Sequence, residues 1–379
     1  MYRIKKIIKF SLAVGVYYSG LLALLGFLKR LFLPSGDLTI LMYHCVIDDA
    51  DKRAGYYQPG LIVSQQVFDK QMSFLSKNYK LLSLETVVKL IQNKKSIQRR
   101  AMVITFDDGW RNNYSCAYPI LKRYMVPATI FVSTDFVDTY RMFWFLQIKL
   151  LVGERNSSKK ILNDILARLG NEANPFPSAG SPNLTNVYSI ESGVDELIEK
   201  IKYLNPKIQE KIIDSLIAAT NTCMDKWKKE RWVLNWDEIN QMIQDNIDFG
   251  SHGQSHRILT TLSESEVLIE LIQSKKIIED RTGKEVHCFA YPNGDCNSRI
   301  RQIVQEAGYS CAVTTKGCEE RKRKSDLYAL RRVGVHEDMS VDPWGRFSKA
   351  MFAFEITVRS KLFRYRTNNK GRRLERGEF

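Results

Sequence analysis

The chain has 379 residues, 44% hydrophobic and 26% charged, a balance that suits a globular protein and, at this length, one domain with an insertion better than two domains. Its formal charge is +15, but residues 1–36 carry +6 and residues 346–379 carry +7, leaving only +2 between them. A nearly neutral middle argues against a nucleic-acid groove there.

From Phe10 to Leu28 the chain runs 19 residues without an acid or a base, between Arg3, Lys5, Lys6 and Lys9 on one side and Lys29 and Arg30 on the other. That is long enough to span a bilayer and longer than a signal-peptide apolar region, and no small-x-small cleavage site follows. Residues 1–36 are read as a membrane anchor and linker. A buried or interfacial helix is the alternative, because Tyr17, Tyr18 and Ser19 interrupt the apolar surface. Four basic residues before the span against two after it favour an extracytoplasmic body. The seven cysteines, odd in number and scattered, show no disulfide framework and pull toward a reducing compartment, so the cytoplasmic face stays open. Cys45, Cys116, Cys288 and Cys311 are expected to be small core hydrophobes.

Next come apolar, β-branched-rich runs at 38–43, 102–106, 128–132, 247–250, 287–291, 311–315 and 327–335. Helical periodicity fills the gaps, as at 64–78, 84–92, 113–124, 263–281 and 298–308. Alternation of short buried strands with amphipathic helices predicts a parallel α/β architecture. The segment of about 137–235 interrupts it with helical pieces at 141–151, 158–169, 194–201 and 206–229 around the loop-forming NEANPFPSAGSPN. Inserted between two strands, it would sit over the functional face; a helical decoration is the other reading. Trp144, Trp232 and Trp236 are candidate sugar-stacking platforms or packing residues.

The domain boundaries read from this pass are 1–36, 37–345 and a basic tail, 346–379. In the tail, Phe347, Met351, Phe352, Phe354, Val358, Leu362 and Phe363 recur at helical spacing among Lys and Arg, which fits a helix on an anionic lipid surface or one packed on the body.

The chemistry is concentrated in two segments. Thr105-Phe106-Asp107-Asp108-Gly109-Trp110 ends one apolar run, and Gly250-Ser251-His252-Gly253-Gln254-Ser255-His256 ends another. Each alone is compatible with an ordinary turn. Together they hold two adjacent carboxylates and two of only five histidines. One Asp and two His give a divalent cation three ligands and an open position, the pattern of a catalytic site, and leave the other Asp as a base. In β/α barrels functional residues sit at the carboxyl ends of strands, and His44, Asp107, Asp108, His252 and Pro292 all fall there.

TFDDGW, SHGQSH and FAYPNGD, with LMYHCV, AYPILKRYMVPATIFVS, WDEI and YALRRVGV around them, resemble the polysaccharide deacetylases, carbohydrate esterase family 4, and in particular membrane-linked exopolysaccharide members. The likeness runs from about Leu38 to Val335. It implies an irregular, incompletely closed (β/α)7 barrel and removal of acetyl groups, N-linked by preference, from a polysaccharide or lipid-linked glycan. By this resemblance Asp108, His252 and His256 are the metal ligands, Asp107 is the base, and the backbone N–H of Asn293 is the oxyanion donor. His44, in the Tyr43-His44 pair, is the general acid, with His336 as the other candidate. The expected cation is zinc, although nickel, cobalt, iron or manganese suit the same ligands.

Two departures stand out. Where the family carries an Arg that buttresses the base, this chain has Ala290, with Asp295 or Arg331 as possible substitutes; the Asp-Trp pair of the fourth motif is absent. Two other readings stay open: a C–N hydrolase of small amides, and a glycan-binding pseudoenzyme suggested by the missing Arg.

Overall fold

A computed structural model describes residues 2–21, 24, 38–51, 54–152, 161, 164, 194–221, 224–315 and 326–361. In chain order these form α1 (Tyr2–Tyr18), β1 (Leu38–Tyr43), β2 (Cys45–Ile47), β3 (Ile62–Ser64), α2 (Gln65–Asn78), β4 (Lys80–Leu81), α3 (Leu84–Gln92), β5 (Ala101–Phe106), α4 (Tyr118–Arg123) and β6 (Ala128–Val132). There follow α5 (Trp144–Val152), α6 (Val194–Ile201), α7 (Pro206–Thr220), α8 (Asp225–Lys228), α9 (Trp236–Ile243), β7 (Ile247–Ser251) and α10 (Glu264–Thr282). The chain continues through β8 (Cys288–Ala290), α11 (Ser298–Glu306), β9 (Cys311–Thr314), β10 (Leu330–Arg331), β11 (Val333–Gly334) and α12 (Lys349–Lys361).

Local chemistry sets several boundaries. The Ser263 hydroxyl accepts from the Glu266 N–H while the Glu266 carboxylate accepts from the Ser263 N–H, and Asn235 and Glu238 repeat this reciprocal cap on α9. Helix α10 ends on Gly283 in the left-handed region at φ +64°. Strands β1, β5, β6 and β9 are buried on both faces, as expected where a parallel sheet is covered by helices.

The strands pair in parallel in the order β10-β9-β8-β7-β6-β5-β1-β11, with β4 added beside β5. Strands β10 and β11 are halves of one run, Leu330–Gly334, split at Arg332. The first half pairs with β9 and the second with β1, so a seventh stave joins both edges and nearly closes the ring. This is the expected (β/α)7 barrel.

Because side chains alternate along a strand, registry decides what faces inward. Leu38, Ile40, Ala101, Val103, Phe131, Cys288, Ala290, Cys311, Val313 and Leu330 form one buried cluster with Leu84, Val87 and Val88 of α3, which plug the amino end of the barrel. Continued toward the carboxyl end, the same parity arrives at His44, Asp107, His252 and Arg332. Gly250 leaves room on this inner face: a Cβ there would lie 2.6 Å from the Phe131 ring.

Asp248 has this inward parity at the opposite end. Burial, reinforced by Glu85, raises its carboxyl to about 6. A folded-state value above the unfolded one means that the native chain holds this proton longer. Stability is therefore lost as pH rises from about 4 through 6, and the loss is complete above that window. Asp248→Asn is expected to be the more stable protein at pH 7.5 by about 1–2 kcal/mol, after discounting for partial solvent access, and equal to the parent near pH 4. Parallel stability curves in urea across this range would refute the assignment.

At both termini the described residues form helices packed on each other. The predicted span Phe10–Leu28 is not one described helix. Helix α1 starts earlier and ends at Tyr18, and Gly20 turns the chain at φ +75°. No described helix is long and apolar enough to cross a membrane, and residues 25–37 lie outside the described set. Helix α1 instead packs against α12, with ion pairs Lys6–Asp338 at 2.7 Å and Lys9–Glu355, and with Phe10 edge-on to Trp344. In the tail, Met351, Phe352 and Ile356 of α12 are buried against the body, so of the two readings the packed helix holds; residues 362–379 lie outside the described set. Cys296 is disulfide-bonded, which the scattered spacing did not show, whereas Cys45, Cys116, Cys288 and Cys311 are free and buried as expected.

In the insertion, α5 and α6 match the expected helices. The predicted 206–229 helix breaks at Asn221, which is left-handed at φ +48°, before α8. The predicted 158–169 helix and the NEANPFPSAGSPN loop fall outside the described residues, apart from positions 161 and 164. Lys149 of α5 is buried, donating to the Tyr57 carbonyl at 3.1 Å and pairing with Asp195 of α6 at 2.7 Å.

Candidate active site

Past β5 the chain turns sharply. The Asp107 N–H donates to the Tyr43 carbonyl at 3.0 Å, and Asp108 and Gly109 follow in the left-handed region at φ +72° and +64°. Glycine is required at 109, since a Cβ would lie 2.7 Å from Val132 Cγ1. The two carboxylates, both buried, thereby face different partners.

Asp108 Oδ2 accepts from the Trp110 indole N–H at 2.9 Å, which fixes the carboxylate. Its Oδ1 lies 3.4 Å from His252 Nε2 and 3.1 Å from His256 Nε2. One ligand atom from each of the three side chains falls within 4.8 Å of the others. His252 Nδ1 is 2.7 Å from the Ala290 carbonyl, which can only accept, so Nδ1 carries a proton; the neutral ring then keeps its Nε2 lone pair for a cation, and the protonated ring donates from Nε2 to Asp108. A histidine ligand oriented by a backbone carbonyl behind it and a carboxylate anchored by an indole form a donor set that fits a divalent cation. Burial pushes the Asp108 carboxyl up, but hydrogen bonds to His252 and His256 outweigh this and hold it well below the usual carboxylate range.

The loop between the two histidines is tied down by Glu270 of α10, a residue that sequence reasoning missed. Its Oε2 accepts from the Gln254 and Ser255 N–H groups at 2.7 and 2.9 Å, and its Oε1 accepts from the Ser255 hydroxyl. Gly253, at φ +81°, lies against the same carboxylate.

Asp107 meets Arg332. Arg332 Nη1 donates to Oδ1 at 2.6 Å and Nη2 to Oδ2 at 2.5 Å; Nη1 also reaches Thr105 Oγ1 at 3.2 Å, and the guanidinium lies over the Phe131 ring. The arginine missing at Ala290 is thus replaced from the closing stave. Arg331, proposed as a substitute, is the wrong neighbour: alternation turns it to the opposite face. Asp295, the other suggestion, instead accepts from Asn293 and Tyr203. Burial raises the Asp107 carboxyl, but Arg332, then His252 and His44, bring it below its ordinary value.

His44 Nε2 is 4.0 Å from Asp107 Oδ2, and burial lowers its pKa against the opposing pull of Asp108 and Asp107. His336 lies away from the site. Its pKa is lowered by burial, and its charged neighbours are Arg359, Asp338, Glu355 and Lys9, at the junction of α1 and α12.

Asn293 follows β8 in the left-handed region at φ +59°, beside Gly294 at φ +76°, where a Cβ would strike Thr315. Its side chain is held from the insertion: Lys202 Nζ donates to Oδ1 at 3.2 Å, and Nδ2 donates to the Tyr203 hydroxyl at 3.1 Å. His44, Asp107, Asp108, His252, His256 and Asn293 all line one cavity of about 360 Å³, whose far wall includes Trp144, Ile198 and Lys202 of the insertion. Of the three tryptophans considered, Trp144 lines it, whereas Trp232 is buried in packing with Tyr57 and Trp227, and Trp236 is buried with Arg281 over its ring.

Comparison with known proteins agrees with this geometry. The family described as Polysaccharide deacetylase matches residues 94–173 and 208–312. The putative polysaccharide deacetylase YxkH of Bacillus subtilis is 22% identical over 315 residues, covering 83% of this chain and 77% of that protein. A poly-beta-1,6-N-acetyl-D-glucosamine N-deacetylase of Staphylococcus aureus is 40% identical over 76 residues, only 20% of this chain and 26% of that protein. The Streptococcus pyogenes deacetylase PplD, solved in complex with acetate, shares the fold with a TM-score of 0.50 at 19% identity, over 82% of this chain and 96% of that one.

Proposed function

The chain belongs to the polysaccharide deacetylase family of hydrolases, and from this premise we propose that it removes N-acetyl groups from an aminosugar polymer or lipid-linked glycan. The observation that carries the reading is one cavity in which Asp108, His252 and His256 converge beside an Asp107 held by Arg332. The Staphylococcus relative supports an N-acetylglucosamine polymer as substrate.

A divalent cation, zinc in our reading, would be held by Asp108, His252 and His256 and would supply Lewis acidity together with a lowered pKa for water. Asp107, kept ionised and oriented by two guanidinium N–H groups, takes the proton of the attacking water. The Asn293 N–H is the donor we assign to the oxygen that gains charge as the acetyl carbon becomes tetrahedral. His44, which lines the same cavity, is the group we assign to protonate the departing amine. Arg332 supports catalysis over a pseudoenzyme, because it gives Asp107 the cation that Ala290 does not.

The test is acetate release from N-acetylated chito-oligosaccharides by the chain from Asp37 onward, alongside its bound-metal content. His44→Ala is expected to lower turnover about 10²–10⁴-fold with metal content unchanged. A near-parental rate in this variant would remove His44 from the mechanism, and bound metal without acetate release would favour the small-amide or pseudoenzyme readings.

For the N-terminus we propose attachment to an anionic membrane surface through α1, with the body extracytoplasmic. Ile4, Ile7, Ile8 and Leu12 are exposed on this helix, Lys5 among them is also exposed, and Trp344 stands exposed beside Phe10. The full chain should sediment with phosphatidylglycerol vesicles and lose this on Ile4→Ser/Ile8→Ser/Leu12→Ser substitution; equal sedimentation of both proteins would refute it.

A further inference from the structure

Three residues of the site, Asp108, His256 and Asn293, adopt left-handed backbone without being glycine. Such a conformation is uncommon outside glycine, less so for Asn, Asp and His, and at a functional site the contacts that fix it matter. Asp108 is fixed by Trp110 and the histidines, and the loop leading to His256 by Glu270. Asn293 is held partly from within the barrel, by Asp295 and the Thr315 hydroxyl, and partly from outside it.

We infer that the insertion is a working part of the active site: Lys202 and Tyr203, at the end of α6, are positioning residues that hold Asn293 in the backbone conformation that aims its N–H at the reacting carbonyl. The inference rests on the oxyanion role of Asn293 given above. Both polar ends of the Asn293 amide are engaged, Oδ1 by the Lys202 ammonium and Nδ2 by the Tyr203 hydroxyl, with Asp295 as a further acceptor. Lys202 is itself anchored, pairing with Glu199 and lying over the Tyr203 ring, with a side chain only 10% exposed. A freely solvated lysine would dissipate its hydrogen bond in rotamer entropy; this one is already immobilised. The α6 helix is connected in turn to α5 through Lys149–Asp195, so the amide is braced by a packed subdomain.

The test is a cycle with acetylated chito-oligosaccharide as substrate. Lys202→Met/Tyr203→Phe is expected to lower kcat about 10–100-fold, with KM within about threefold and with metal content and melting temperature at parental values. In an Asn293→Gly background, which has no amide to hold and accepts φ above zero freely, the same pair of substitutions should have little further effect. Equal loss in both backgrounds, or a raised KM with kcat unchanged, would overturn the inference, the latter by making Lys202 a substrate-binding group. A crystal structure of the Lys202→Met/Tyr203→Phe protein gives an arm independent of turnover: Asn293 should leave φ near +59°, and its retention there refutes the clamp. Failure of the parent to release acetate would instead refute the deacetylase reading.

Discussion

Arg332→Met is expected to destabilise the protein by about 3–5 kcal/mol, the range for removing one partner of a buried ion pair and leaving the other charge uncompensated. Arg332 is only 1% exposed and makes two charge-assisted hydrogen bonds to a carboxylate that is itself 3% exposed. Its removal should also raise the Asp107 pKa, so that the carboxyl is protonated where the parent is ionised and acetate release falls at neutral pH. Arg332→Lys should rescue incompletely, because an ammonium cannot present two parallel donors to both oxygens. Urea unfolding read by fluorescence measures the first effect; a loss under about 1 kcal/mol would mean that water or another cation replaces the guanidinium.

Asp107→Asn should lower acetate release by about 10²–10⁴-fold while leaving bound metal near the parental amount, because the amide cannot accept the proton of water yet hardly changes the volume. The contrast with Asp108→Asn is the informative part. Asp108 Oδ1 is the atom shared by both histidines, so its replacement should lower metal content as well as turnover. Metal analysis by mass spectrometry on both variants separates the two carboxylates. If Asp107→Asn lost the metal, the roles would have to be exchanged. In the Arg332→Met/Asp107→Asn double variant neither member of this pair is left as an uncompensated charge, so it should be more stable than Arg332→Met alone.

Most of the barrel was legible from the chain because each stave is a short β-branched run bounded by turn residues, and such a run has few alternatives to a buried parallel strand. Asp107, Asp108, His252 and His256 were legible because carboxylates and imidazoles at strand ends are otherwise uncommon. Arg332 was passed over in favour of Arg331 although the signal was present: counting alternate positions from Leu330, which faces the interior, selects 332. Glu270 left no such trace, since a glutamate in a charged amphipathic helix looks like any solvated residue until the loop it ties is seen. The reach of Lys202 and Tyr203 to Asn293 spans some ninety positions in the chain and depends on how the insertion folds back, which no local pattern encodes. The N-terminal span Phe10–Leu28 lies only partly within the described residues, where α1 ends at Tyr18 and Gly20 takes φ +75°, a turn that hydropathy does not register.

The stave that completes the ring also carries the counter-charge of the proposed base. A ribosome delivers Asp107 long before Arg332, so during synthesis the carboxylate has no guanidinium to meet and no reason to be drawn inward. On the proposed mechanism, catalytic competence is tied to the final strand: a nascent or truncated chain ending before residue 332 would contain every proposed metal ligand and still lack the guanidinium that orients the proposed acceptor for the proton.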